Sequence, residues 1–181
     1  MKLKGITKEL PPVAPFSFTG LESVKNLKLE DALVKFAGTP ITGLCNIFSP
    51  MLKYSYKYID VKVHKLKAGN TPCIPGWHLD GGFEHSSDYI LMVSGVSLTD
   101  FNSGEYEYIP GEKIMLTNAR LANLSEADTY SAKDWTPYYY DNTMPHRGTP
   151  ARCDGSRFLF RIMSSTNPRI MQTPDFKPGI Y

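Results

Sequence analysis

The stretch "YKYIDVKVHKL", residues 56–66, decides the fold. Ile59, Val61 and Val63 fall on one side of an extended chain, and Tyr58, Asp60, Lys62 and His64 fall on the other. A period of two belongs to a strand, and similar segments follow. "DYILMVSGVSL" (88–98) reads as a more apolar strand, and "RFLFRIMSS" (157–165) alternates again. "EYEYIPGEKIML" (105–116) reads as a hairpin turning at Pro110-Gly111. Before residue 50 the pattern differs. In "NLKLEDALVKFAG" (26–38), Leu29, Leu33 and Phe36 recur at helical spacing, Glu30 and Asp31 suit the positive helix start, and Gly38 with Pro40 supplies a stop. Short strands behind a helical N-terminal region predict a mainly β protein, a sandwich or barrel with helical support. Residues 117–136 read as a short helix or a loop over a site, and "NPRIMQTPDFKPGIY" (167–181) as an extended tail.

The chain has 181 residues, enough for one domain with a sizeable core. The expected organisation is helical support over 1–50, a β core over 55–165 and a tail over 166–181. With 41% hydrophobic and 21% charged residues the composition is that of a globular protein, and no apolar run approaches a membrane span. The first residues show no signal-peptide pattern, so a cytoplasmic location is expected. Cys45, Cys73 and Cys153 are an odd number at unremarkable spacings, which suits reduced thiols. A net charge of +2 selects no polymer partner. Lys53, Lys57, Lys62, Lys65 and Lys67 interleave with Tyr54, Tyr56 and Tyr58, a pattern able to bind single-stranded nucleic acid but more simply a solvated strand.

The chemistry concentrates at "CIPGWHLDGG" (73–82). Residues two apart on an extended segment share a side, so His78 and Asp80 project together while Trp77 and Leu79 enter the opposite packing layer. In "YYYDNTMPHRGTPARCDGSRFLFRIMSS" (138–165), His146 ends an alternating segment whose face also carries Tyr138, Tyr140, Asn142 and Met144. Two histidines and a carboxylate with coordination positions left open can hold non-haem Fe(II), or Zn²⁺ with a bound water. An anchor for a dicarboxylate separates the two. Arg157 and Arg161 lie eleven and fifteen residues after His146, on the face of the strand opposite Phe158, Phe160 and Ile162. Inward guanidinium groups are costly to desolvate unless anions meet them, and an arginine fork suits the far end of a keto acid. His64 shares its face with Asp60 and Lys62 and reads as a hydrogen-bonded structural residue, His85 as exposed, and Arg147 as a residue behind the ligands or on the surface.

His78-Leu79-Asp80, the distal His146 and Arg157 or Arg161 on the last core strand resemble the pattern of the 2-oxoglutarate/Fe(II)-dependent dioxygenases, over roughly residues 55–165. The resemblance implies a double-stranded β-helix, or jelly roll, with N-terminal supporting helices. It implies that His78, Asp80 and His146 bind Fe(II), and that 2-oxoglutarate chelates the ion through its C1 carboxylate and C2 keto oxygen. Arg157 would take the C5 carboxylate, with Arg161 second in rank and Tyr89 as the additional hydroxyl. Tyr138, Tyr140 and Asn142 would line the substrate side. The implied activity couples decarboxylation of 2-oxoglutarate to C–H oxidation, most simply hydroxylation. A small molecule is the first expectation for the substrate, with nucleic acid or a protein side chain as alternatives. The sequence departs from some members in lacking an arginine-x-serine pair, since Ser164 stands three residues past Arg161. Two other readings use the same residues: a cupin-like metalloenzyme without a keto acid, and a non-catalytic jelly-roll module.

Overall fold

A computed structural model describes residues 1–80 and 85–168. In chain order these form β1 (Lys2–Lys4), β2 (Thr7–Glu9), β3 (Val24–Lys28), α1 (Leu29–Lys35), α2 (Pro40–Phe48), β4 (Tyr56–Leu66), β5 (Ser87–Gly95), β6 (Thr99–Asn102) and β7 (Glu105–Glu107). They continue with α3 (Ile114–Leu121), β8 (Thr129–Ser131), β9 (Tyr138–Asp141), β10 (His146–Gly148) and β11 (Gly155–Ser165). Gly81, Gly82 and all but the first residues of the expected tail lie outside the described residues.

Two antiparallel sheets form a jelly roll. The larger has six strands in the order β2-β9-β5-β11-β4-β3, and the smaller has the order β10-β6-β8. β11 is the spine of the larger sheet, paired along its length with β4 and through most of it with β5. Alternation then decides what each face meets. Ile59, Val61, Ile90, Met92, Phe158, Phe160 and Ile162 pack outward against Ala32, Phe36, Ile41, Leu44 and Phe48 of the helical region. Each such side chain, fully buried, contributes roughly 1.5–3 kcal/mol. The inner face carries Tyr58, Tyr89, Leu91, Val93, Leu159 and Met163, which meet Phe101, Tyr138, Tyr140 and Met144 between the sheets. α1 and α2 bear out the helical reading: α1 ends at Lys35, Gly38 follows it at φ 76°, and Pro40 opens the second helix. The first fifty residues also supply strands, because β2 and β3 form the two edges of the larger sheet.

The hairpin expected over 105–116 does not form. The chain does turn at Pro110-Gly111, with Gly111 at φ 78°, but α3 follows and β7 pairs with β1 instead. Thr117 and Leu121 are buried at helical spacing, and Leu121 packs with Trp77, Leu79 and Tyr106 in a third apolar cluster. Residues 117–136 thus complete α3 and, after a short helical turn, add β8 to the smaller sheet. No helix among the described residues is long and apolar enough to cross a membrane.

Candidate metal centre

His78, Asp80 and His146 converge: one ligand atom from each lies within 4.8 Å of the others. The convergence starts in the backbone. His78 N–H donates to the His146 carbonyl and His146 N–H to the His78 carbonyl, both at 3.0 Å, which brings the ring centroids to 4.5 Å. Trp77 and Leu79 are buried in the cluster beneath α3, and Leu79 N–H donates to Asn118 Oδ1 at 3.1 Å, so His78 and Asp80 are turned to the other side. A carbonyl can only accept, so His146 Nδ1 donates to Met144 O (3.0 Å) and His78 Nδ1 to Gly76 O (3.2 Å). That leaves each Nε2 with its lone pair for a metal. His146 Nε2 is 3.1 Å from Asp80 Oδ2.

The carboxylate is held from behind. Tyr140 donates its hydroxyl to Asp80 Oδ2 at 2.8 Å, Arg161 Nη1 donates to the same oxygen, and Tyr89 donates to the Asp80 carbonyl at 2.9 Å. Burial works to raise the Asp80 pKa, but Arg161 and His146 outweigh it and hold the carboxyl well below its usual range. Burial, with the neighbouring His146 adding to it, pushes His78 down to about 4. An ionised carboxylate and two imidazoles whose Nε2 atoms face it form a donor set that fits a divalent ion with positions left open.

A cavity of about 340 Å³ opens in front of the triad. Arg157 and Arg161 both reach it, but their surroundings differ. Arg161, 9% exposed, spans Asp60 (3.1 and 2.5 Å) and Asp80, so its charge is matched by carboxylates within the protein. Arg157, 3% exposed, donates to the Ser97 carbonyl at 3.1 Å and the Thr99 hydroxyl at 3.2 Å, and has no carboxylate in ion-pair range among the described residues. Burial pushes its guanidinium down to about 10.

The other expected site residues scatter. Tyr140 lines the cavity, but Tyr138 turns its hydroxyl to Glu9 and Asn142 donates to the His85 carbonyl, both away from it. The face drawn from Tyr138 to His146 is broken because the chain leaves the larger sheet after Asp141 and enters the smaller one at His146. Tyr89 is committed to the Asp80 backbone and stacks on Tyr140 at 5.0 Å, and Thr99 is the hydroxyl beside Arg157. His64 is 2% exposed and lines the cavity, and among the described residues neither ring nitrogen finds a hydrogen-bond partner. Lys62 likewise turns into the cavity, so the lysine row is not one solvated surface. His85 is exposed as expected, and Arg147 lies over the Trp77 ring, paired with Asp100 and Glu126. Asp60, Thr99 and Asn118 had no local signal, because each acts on a residue far away in sequence.

No family model matches the sequence, and no curated protein is similar to it at a significant level. Among solved structures the chain is similar to EvdO2 from Micromonospora carbonacea var. aurantiaca, at 15% identity and a TM-score of 0.52 over 81% of this chain and 68% of that one. It is also similar to the same protein complexed with 2-oxoglutarate, at 14% identity and a TM-score of 0.51 over 89% of this chain and 78% of that one. At these identities the likeness concerns the fold, a cupin-like jelly roll.

Proposed function

We propose that this protein is a 2-oxoglutarate- and Fe(II)-dependent oxygenase that hydroxylates a small molecule. The observation that carries the proposal is the buried, carboxylate-free Arg157 opening onto the same cavity as His78, Asp80 and His146. A buried guanidinium with no carboxylate beside it favours an anionic ligand in front of the triad. A dicarboxylate that meets the metal at one end and Arg157 at the other has one. The similarity to a solved structure holding 2-oxoglutarate supports the same reading.

When bound, Fe(II) supplies the activation of O₂, one oxygen atom going to succinate as 2-oxoglutarate loses CO₂ and the other to the substrate as a hydroxyl group. His78, Asp80 and His146 would hold the ion. Arg157, with the Thr99 hydroxyl beside it, would fix the C5 carboxylate and so the orientation of the keto acid. Tyr140 and Arg161 hold the Asp80 carboxylate in place, and Leu91 and Leu159 give the cavity an apolar floor.

Anaerobic addition of Fe(II) and 2-oxoglutarate tests this. The expected result is a weak visible charge-transfer band, with release of succinate once O₂ is admitted. Arg157→Ala is expected to weaken keto-acid binding at least tenfold and leave Fe(II) binding in place. Zn²⁺ or Mn²⁺ in the purified protein with no such band would favour a cupin-like metalloenzyme instead.

A further inference from the structure

His64 is buried and lines the cavity, yet neither of its ring nitrogens has a hydrogen-bond partner among the described residues. Buried polar side chains are normally paired, so an inward ring in this condition points to a group that enters the cavity.

Register identifies that group. Along β4 and β11 the facing pairs are His64 with Arg157, Lys62 with Leu159 and Asp60 with Arg161. Facing residues hold their Cβ atoms about 4.5–5.5 Å apart, so the imidazole stands beside the Arg157 guanidinium. Arg161 bonds Asp80 of the triad, and it lies four residues, or about 13 Å, along the strand from Arg157. His64 and Arg157 are therefore at the end of the cavity away from the metal ligands, with Leu159 and Lys62 between. That end is closed. The next residue on the same face of β4, Leu66, is buried, and His64 is the last one to line the cavity. Gly148 pairs with Thr99, which bonds Arg157, and a Cβ on that glycine would stand 2.7 Å from Pro72 Cγ and 2.9 Å from Cys73 Sγ.

The guanidinium is partly engaged already. Its Nε and Nη2 donate to the Ser97 carbonyl and the Thr99 hydroxyl, which occupies two of five N–H groups. Burial, with Arg157 and Lys62 adding to it, keeps the His64 ring neutral, so it offers one N–H and no competing charge.

Resting on the function proposed above, we infer that His64 is a specificity-determining residue for the keto acid: its ring N–H shares the far carboxylate with Arg157, and its bulk ends the cavity at the length of a five-carbon diacid. A longer diacid runs into the ring. A keto monoacid leaves both donors without an acceptor.

Anaerobic titration of the Fe(II)-loaded protein with 2-oxoglutarate and with 2-oxoadipate, one methylene longer, tests this by the charge-transfer band and by calorimetry. Wild-type protein is expected to prefer 2-oxoglutarate at least tenfold. His64→Ala removes donor and wall together and is expected to reverse that order, weakening 2-oxoglutarate at least tenfold while tightening 2-oxoadipate. His64→Gln keeps a donor and most of the bulk, and is expected to hold the wild-type order with a several-fold loss. A histidine that only supports the fold would weaken both acids alike and lower the melting temperature, which would overturn the inference. An unchanged order in His64→Ala, or binding of neither acid by wild type, would also overturn it. A calorimetric length preference that depends on His64, with no charge-transfer band in the wild type, would retain His64 as the determinant and remove the oxygenase reading. A normal band with 2-oxoglutarate, indifferent to both substitutions, would do the reverse.

Discussion

Tyr140 donates its hydroxyl to Asp80 Oδ2 across 2.8 Å, from β9 of the larger sheet to the end of the segment that carries two candidate metal ligands. Burial, and then the Asp80 charge, hold the phenol pKa well above its usual value, so Tyr140 stays a donor at any pH the fold tolerates. Partners behind a ligand fix its orientation. Tyr140→Phe is therefore expected to weaken Fe(II) binding by about 10–100-fold with little loss of stability, read by anaerobic calorimetry beside thermal melts. Unchanged affinity would mean that Arg161 alone positions the carboxylate.

Asp60 is fully buried and bonds both Arg161 and the Asn26 N–H. Removing one member of a buried ion pair strands the other charge, at a cost of about 3–5 kcal/mol. Asp60→Asn is expected to fall toward the low end of that range in urea unfolding, because Arg161 keeps Asp80 as a second partner. It is also expected to loosen the β3 bulge, which hydrogen exchange at Asn26 would report.

Much of this was legible in the sequence, for a physical reason. β4 and β11 are covered differently on their two faces, so Ile59 and Val61 or Phe158 and Phe160 print a period of two, and the same rule turned His78 and Asp80 to one side. What a local pattern cannot carry is partner choice across the chain. β7 pairs with β1 from the far end of the sequence, and its apparent hairpin partner is a helix. The Tyr138 to His146 segment looked continuous because a switch between sheets leaves no periodic trace. His64 was legible as an inward residue, yet only the packed structure shows that its ring nitrogens have no hydrogen-bond partner among the described residues.

The same ring gives the protein a pH signature. Burial, with Arg157 and Lys62 adding to it, pushes His64 down to about 3 from the usual 6.5. The unfolded chain therefore binds more protons between those values, so the stability linked to His64 is complete above pH 6.5 and is lost as pH falls toward 3. The loss is at most about 1.4 kcal/mol per pH unit for one site, and His78, pushed down to about 4, adds a second contribution of the same sign. His64→Gln is expected to reduce that slope by about half in urea unfolding measured from pH 7 to 4. A slope unaffected by the substitution would show that the ring is already hydrated or partnered.

Gly148 closes the cavity from the side of the distal histidine. It lies two residues past His146 on β10 and pairs with Thr99, and a Cβ there would stand 2.7 Å from Pro72 Cγ and 2.9 Å from Cys73 Sγ. The proline ring cannot swing aside as a flexible chain end could, so Gly148→Ala must push the 72–73 segment outward. That segment leads to His78 and lines the cavity with Gly148 itself. Overpacking of this kind costs about 1–3 kcal/mol, and the displaced backbone is expected to weaken Fe(II) binding as well. Gly43 supplies the control, since it sits inside α2 with nothing within 4 Å of its would-be Cβ. Gly43→Ala is expected to raise stability by about 0.5–1 kcal/mol and leave metal affinity unchanged. Opposite signs in urea unfolding, with a binding defect confined to Gly148→Ala, would tie the metal centre to the close approach of β10 and the 72–73 segment; equal effects from the two substitutions would break that link.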